Sequence, residues 1–156
     1  MTPVSSREII PLQIKILEEV VLEVLTAVLM DHELLIIDIP TVLRGNPEAN
    51  FVGKIGRLRD YLERSSVQKV LFVSGTSVYE DSGNFPIYCE NDQANGTAES
   101  ARQLLASEAI LQSSESYSTT IIRFGGLFGP RRHPVTYLAG RKNIANPEAP
   151  VNVINL

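Results

Sequence analysis

Two unbroken apolar runs constrain this chain more than any other feature. Residues 33–39 read ELLIIDI and end at Pro40, and residues 68–74 read QKVLFVS. A strand with one wet face alternates apolar and polar side chains, whereas continuous runs of this length belong to strands covered on both faces, as in a parallel sheet. Parallel neighbours need a crossover of a dozen or more residues, and 51–64 between the runs has the spacing of an amphipathic helix. The unit is strand, helix, strand.

The alternation extends in both directions. Downstream, a long polar stretch over 75–96 leads to Thr97, a plausible N-cap, and a helix over 98–112. The sequon Asn95-Gly96-Thr97 reads as the turn before that cap. A strand over 118–124 (STTIIRF) follows, then a loop with little periodicity over 125–146 and a last short strand over 150–154. Upstream, 9–16 (IIPLQIKI) reads as a short strand whose Pro11 suits a sheet edge. Residues 17–30 read as a helix, with Val20, Val21, Val24, Leu25 and Val28 on a broad face and Glu18 and Glu19 near the positive end of its dipole. His32 then sits where a cation favours a helix C-terminus. The fold class predicted is α/β, a partial Rossmann-type doubly wound parallel sheet with helices on both faces, formed as one domain over 1–156.

Composition removes several classes of function. With 14 Lys+Arg against 18 Asp+Glu the net charge is -4, so no basic field exists to hold a nucleic acid backbone. The charges at Lys15, Glu18, Glu19 and Glu23 break up the apolar N-terminal stretch, which leaves neither a membrane anchor nor a signal peptide. One cysteine, Cys89, forms no internal disulfide, and no Cys/His spacing offers a metal shell. A reducing, cytoplasmic setting is expected.

Three local patterns occur in order. The first is Val70-Leu71-Phe72-Val73-Ser74-Gly75-Thr76-Ser77-Val78-Tyr79. The second is Ala106-Ser107-Glu108 within a helix, and the third is Ile122-Arg123-Phe124-Gly125-Gly126-Leu127-Phe128-Gly129-Pro130. Together they resemble the extended short-chain dehydrogenase/reductase superfamily, in its NAD-dependent epimerase/dehydratase branch acting on nucleotide sugars. The resemblance runs from about residue 9 to residue 156. It implies NAD or NADP as cofactor and a nucleotide sugar as small-molecule partner. It also implies that 9–16 matches the family's third strand, so that the chain is a truncated domain lacking the first βαβ unit and the C-terminal substrate part.

The chemistry of that family does not carry over residue by residue. A dinucleotide needs a Gly-rich turn at a helix N-terminus, and no G-x-G-x-x-G or G-x-x-G-x-x-G occurs here. By the resemblance, the catalytic Ser or Thr position is Gly75, the catalytic Tyr position is Ser100 and the Lys position is Leu104. Proton transfer from a sugar hydroxyl needs a phenol tuned by a neighbouring ammonium, which a serine beside a leucine does not replace. No catalytic residue is therefore assigned, although Thr76, Tyr79 and Tyr88 lie near in sequence.

The candidate binding residues each have a plain structural alternative. Ser74, Thr76 and Ser77 stand at the C-terminal end of a parallel strand, where ligands bind in such sheets, or their hydroxyls satisfy loop backbone. Phe124, Gly125 and Gly126, with Gly129 and Pro130, bring backbone close to a cofactor or simply set a turn. Asp38 and Pro40 border the adenosine side of the cofactor by resemblance, or Asp38 meets a loop N–H. Arg131 and Arg132 suit the phosphates of a nucleotide sugar, or are solvated loop charges. Loss of the first two strands would leave 34–37 as an open apolar edge, to be paired by 9–16, covered in a homo-oligomer, or left to aggregate. Three functional classes follow: a catalytically impaired relative of the epimerases and dehydratases, a non-catalytic nucleotide-binding or regulatory module, and an inactive gene fragment.

Overall fold

The computed structural model describes residues 29–41, 49–80, 82–130, 132–144, 148 and 150–155. The strand expected over 9–16 and nearly all of the helix expected over 17–30 lie outside them. The described elements are β1 (Leu34–Ile37), α1 (Phe51–Leu62), β2 (Lys69–Gly75), a 3₁₀ turn (Thr76–Val78), α2 (Glu99–Gln112), β3 (Ser118–Phe124), β4 (Gly126–Phe128), α3 (Pro134–Leu138) and β5 (Val153–Asn155). The first three strands form one parallel sheet in the order β1-β2-β3, with Ile37 opposite Phe72 and Phe72 opposite Ile121. The α/β class and parallel pairing agree with the expectation from the apolar runs.

Helix α1 starts where Asn50 accepts a hydrogen bond from the Gly53 N–H at 2.7 Å, satisfying one of the orphan donors of the first turn. A Cβ at Gly53 would lie 2.6 Å from the Asn50 side-chain nitrogen, so a larger residue there would oblige the capping side chain to shift. Its buried residues Phe51, Ile55, Leu58 and Leu62 recur at helical spacing and point at the sheet. On β2 the alternate residues Val70, Phe72 and Ser74 are buried, and the Phe72 ring stacks on Phe51 with centroids 6.4 Å apart. Helix α2 adds Leu104 and Leu111 to the same core, and its Gln103 accepts from the Phe51 N–H at 2.9 Å, which ties the two helices together. Leu29, 1% exposed, belongs to this core as well. No helix among the described residues is long and apolar enough to cross a membrane.

Several boundaries differ from the sequence reading. The helix expected over 98–112 begins at Glu99: Ala98, with φ -61° and ψ 149°, is extended and stands at the N-cap without a side-chain hydrogen bond, so Thr97 does not cap it. The Gly96 N–H donates to Val78 C=O at 2.7 Å and holds this lead-in segment extended. The stretch 125–146 is not all loop. It contains β4, which pairs in parallel with β5 in a second sheet, and α3, which opens with a proline just after the cap His133. A three-residue strand is too short to show a period, and its partner is distant in sequence. The helix ending at 64 in the sequence reading ends at Leu62, and the last strand is Val153–Asn155 rather than 150–154.

Candidate functional site

In a parallel sheet all strands deliver their following loops to one edge, where ligands bind. At that edge, beyond β2, lies a cavity of about 950 Å³ open to solvent. The 3₁₀ turn contributes Thr76 and Ser77, and the start of α2 contributes Thr97, Ala98 and Ser100. Tyr79, Glu80, Phe85, Pro86, Ile87 and Tyr88 form an aromatic and apolar section, and the approach to β5 brings Pro150, Val151 and Asn152.

Behind this cavity, a charged network runs through the core. Ser74, 7% exposed, does not face the cavity; its hydroxyl donates to Glu108 Oε1 at 2.6 Å. Glu108, 3% exposed, also accepts from Arg123 Nε at 3.1 Å and from Arg123 Nη2 at 2.6 Å, the two-pronged geometry that makes guanidinium–carboxylate pairs strong. These hydrogen bonds to Glu108 raise the Arg123 guanidinium above its already high ordinary pKa, against the opposing effect of burial. Arg123 Nη1 then donates to the Tyr79 hydroxyl at 2.8 Å, and its guanidinium carbon lies 5.2 Å from the Tyr79 ring centroid. Tyr79 stacks on Tyr88 at 4.5 Å, and the Tyr88 hydroxyl donates to Glu80 C=O at 3.0 Å. One buried carboxylate thus fixes, through an arginine, the aromatic section of the cavity.

The glycines after β3 serve packing. A Cβ on Gly125 would lie 2.7 Å from Asn152 Oδ1, and the Gly126 N–H donates to Asn152 C=O at 2.8 Å. The segment leading to β5 can therefore lie close enough for Asn152 Nδ2 to donate to Thr76 Oγ1 at 3.3 Å. The structure thus brings Thr76 and Ser77 to the cavity, and Gly125 and Gly126 behind Asn152. Phe124 ends β3 opposite Gly75. Asp38 and Pro40 are exposed beyond β1, Arg132 is exposed, and none of the three lines the cavity. Arg131 lies outside the described residues.

The positions matched to catalytic residues separate clearly. Ser100 lines the cavity, whereas Leu104, one turn further along α2, is 8% exposed and packs in the core. Asn152 and the Tyr79–Tyr88 stack were not singled out as binding residues in the sequence. Asn152 had no local signal, since the glycines that admit it are 26 and 27 positions earlier. Cys89 is exposed, and its N–H donates to Asp92 in a turn.

No family model matches this chain. Protein YeeZ of Escherichia coli K12 is 31% identical over 128 residues, which are 82% of this chain and 46% of that protein. A solved structure from Methylobacillus flagellatus, described as a candidate NAD-dependent epimerase/dehydratase, superposes with a TM-score of 0.59 at 26% identity, covering 85% of this chain and 47% of that one. The UDP-glucuronic acid 4-epimerase of Bacillus cereus, solved with UDP-glucuronic acid and NAD, gives a TM-score of 0.57 at 16% identity, over 70% of this chain and 38% of that one. The chain therefore spans about half the length, or less, of these similar proteins. The fold they share with it is the partial Rossmann-like arrangement described above.

Proposed function

From the premise that this chain belongs by fold to the extended short-chain dehydrogenase/reductase superfamily, we propose that it is a catalytically impaired relative of the NAD(P)-dependent nucleotide-sugar epimerases and dehydratases. In this reading its cavity binds a sugar nucleotide without transferring hydride. The observation that carries the proposal is the pairing at α2: Ser100 lines the cavity where the family places its phenol, and Leu104 is buried where the family places its ammonium. An aliphatic hydroxyl does not ionise near neutral pH, and an isobutyl group supplies no charge to change that.

What remains supports binding. Thr76, Ser77 and Ser100 offer donors and acceptors to ring hydroxyls, and Tyr88 and Phe85 offer apolar area at low cost in side-chain entropy. Convergent polar groups on a mostly apolar wall are the usual composition of a small-molecule site. The described residues do not by themselves fit a resident nicotinamide, since Asp38 and Pro40, matched by resemblance to the adenosine side, stand exposed away from the cavity. A cytoplasmic location belongs to the same reading, since an exposed lone thiol such as Cys89 persists in a reducing compartment.

Calorimetric titration with UDP-glucose, NAD and NADP, run beside absorbance at 340 nm, tests this. Heat with UDP-glucose, abolished in a Thr76→Val/Ser100→Ala variant, is expected, with no nicotinamide reduction. Sugar-dependent reduction of either dinucleotide would overturn the impairment, and silence toward UDP-glucose would overturn the binding role.

A further inference from the structure

Asn95-Gly96, the one Asn-Gly step in the sequence, carries a reaction of its own. When the backbone nitrogen after an asparagine gives up its proton to water or hydroxide, it can attack the side-chain Cγ. The new N–Cγ bond closes a five-membered succinimide, and Nδ2 leaves as ammonia after taking up a proton. Water then opens the ring at either carbonyl, which yields aspartate or, with the main chain rerouted through Cβ, isoaspartate. Glycine in second place favours ring closure, because no Cβ shields the attacking nitrogen and the backbone turns freely. Water is the only co-reactant.

The fold keeps this glycine and at the same time holds the reaction shut. A Cβ at Gly96 would lie 2.7 Å from the Val78 carbonyl oxygen, 2.8 Å from the Ala101 Cβ and 3.0 Å from the Ser77 carbonyl oxygen, so there is no room for a side chain. Both reacting groups are engaged. The Gly96 N–H, whose nitrogen is the nucleophile, donates to Val78 C=O at 2.7 Å. The Asn95 amide is gripped at both ends by Glu80: its Oδ1 accepts from the Glu80 N–H at 3.0 Å, and its Nδ2 donates to Glu80 Oε2 at 3.3 Å. Gly96 is buried but Asn95 is exposed, so water reaches the group under attack. Ring closure needs the Gly96 nitrogen to leave Val78 while the Asn95 side chain swings away from Glu80, which is a local opening.

We propose that Asn95 is a deamidation site whose rate is set by opening of this Glu80–Asn95–Gly96 clasp, and that its modification releases one wall of the cavity. Glu80, Gly96 and Thr97 line that cavity, and the Tyr88 hydroxyl donates to Glu80 C=O at 3.0 Å. In either product a carboxylate replaces the amide that donated to Glu80 Oε2, so two like charges meet where a hydrogen bond stood. In isoaspartate the extra main-chain carbon also displaces Gly96 from Val78. The clasp does not re-form, and the wall from Glu80 to Tyr88 loses its tie to the segment entering α2. None of this depends on which ligand the cavity takes.

Mass spectrometry of the aged chain and its proteolytic fragments tests the proposal, with the free peptide of residues 91–100 as the reference that lacks the fold. Asn95 should convert at least about tenfold more slowly in the chain than in the peptide, and the Gly96 amide should be protected at least as strongly in hydrogen exchange, since both events need its N–H free of Val78. Glu80→Ala deletes the acceptor of Nδ2 and should accelerate conversion about two- to tenfold, the effect of one hydrogen bond. Glu80→Gln keeps an amide oxygen that accepts and should stay near the unaltered rate. Asn95→Asp should lose part of the tyrosine signal in near-ultraviolet circular dichroism as the Tyr79–Tyr88 stack loosens, with the far-ultraviolet spectrum unchanged. Equal rates in chain and peptide, a freely exchanging Gly96 amide, no acceleration in Glu80→Ala, or an intact tyrosine signal in Asn95→Asp would overturn the proposal.

Discussion

Replacing Glu108 by alanine removes the acceptor of three hydrogen bonds at once: from the Ser74 hydroxyl at 2.6 Å and from two nitrogens of Arg123 at 3.1 and 2.6 Å. Hydrogen bonds to a charged group contribute about 1.5–3 kcal/mol each when counted singly, but they are not additive here because two share one guanidinium. Removing one partner of a buried ion pair costs about 3–5 kcal/mol. The Arg123 side chain keeps 24% exposure and recovers some hydration, which puts the expected loss near the lower limit, at about 3 kcal/mol. With a urea slope of about 1–3 kcal/mol per molar, the unfolding midpoint should fall by about 1–3 M. Arg123→Met should cost at least as much, because it strands Glu108, whose side chain is 4% exposed, with Ser74 as its remaining partner. The double variant should be less damaged than the sum of the two by about 1.5–3 kcal/mol. Near-ultraviolet circular dichroism should record release of the Tyr79–Tyr88 stack in each single variant. A loss under about 1 kcal/mol for Glu108→Ala, or strict additivity in the cycle, would refute the claim that this carboxylate organises the site.

Two further outcomes follow from local geometry. Gly125→Ala pushes a methyl group to 2.7 Å from Asn152 Oδ1 and 3.0 Å from its carbonyl oxygen, so it should separate the lead-in of β5 and weaken the proposed UDP-glucose binding by roughly tenfold, about 1.4 kcal/mol, while the β2–β3 core stays folded by circular dichroism. Tyr117 is 6% exposed, and burial, the largest influence, raises its phenol above the ordinary 10.0 in the folded protein. Its proton is therefore held longer in the folded than in the unfolded state, so the associated stability is complete below pH 10.0 and declines as pH rises from there through the folded value. Urea midpoints measured from pH 9 upward should fall in the unaltered chain and fall less steeply in Tyr117→Phe.

The parts of the fold legible in the sequence were those whose cause is local. The apolar run within 68–74 is visible in the sequence, and the strand forms over Lys69–Gly75 with Val70, Phe72 and Ser74 buried and the residues between them half-buried. The face of α1 is readable because Phe51, Ile55, Leu58 and Leu62 recur with the helix period. Pairing of β4 with β5 was not, because its cause is the approach of Asn152 to two glycines far back in the chain. Ser74 illustrates the same limit at the site. Its place at a strand end pointed toward ligand or loop backbone, whereas its hydroxyl is turned inward to a carboxylate 34 residues away. Alternation along β2 gives the side of the sheet on which Ser74 stands, and only α2, packed on that side, decides what it meets there.

The separation of scaffold from chemistry can be tested in reverse at the two α2 positions. Ser100 is partly exposed beside a cavity of about 950 Å³, so the ring of Ser100→Tyr has open space to enter, and stability should change by no more than about 0.5 kcal/mol. Leu104 belongs to the same buried core as Phe51, Ile55 and Phe72, one turn from Glu108, whose carboxylate is already held by Arg123, so Leu104→Lys must either bury an ammonium in competition with that arginine or release its proton. That substitution should cost several kcal/mol, about 3 or more, with a steeper loss at low pH, where the unfolded chain binds the proton and the folded core resists it. Equal tolerance of both changes by urea unfolding would mean that α2 can rotate or shift at little cost. The fixed core contact inferred for Leu104 would then be wrong, and with it the structural support for the proposed impairment.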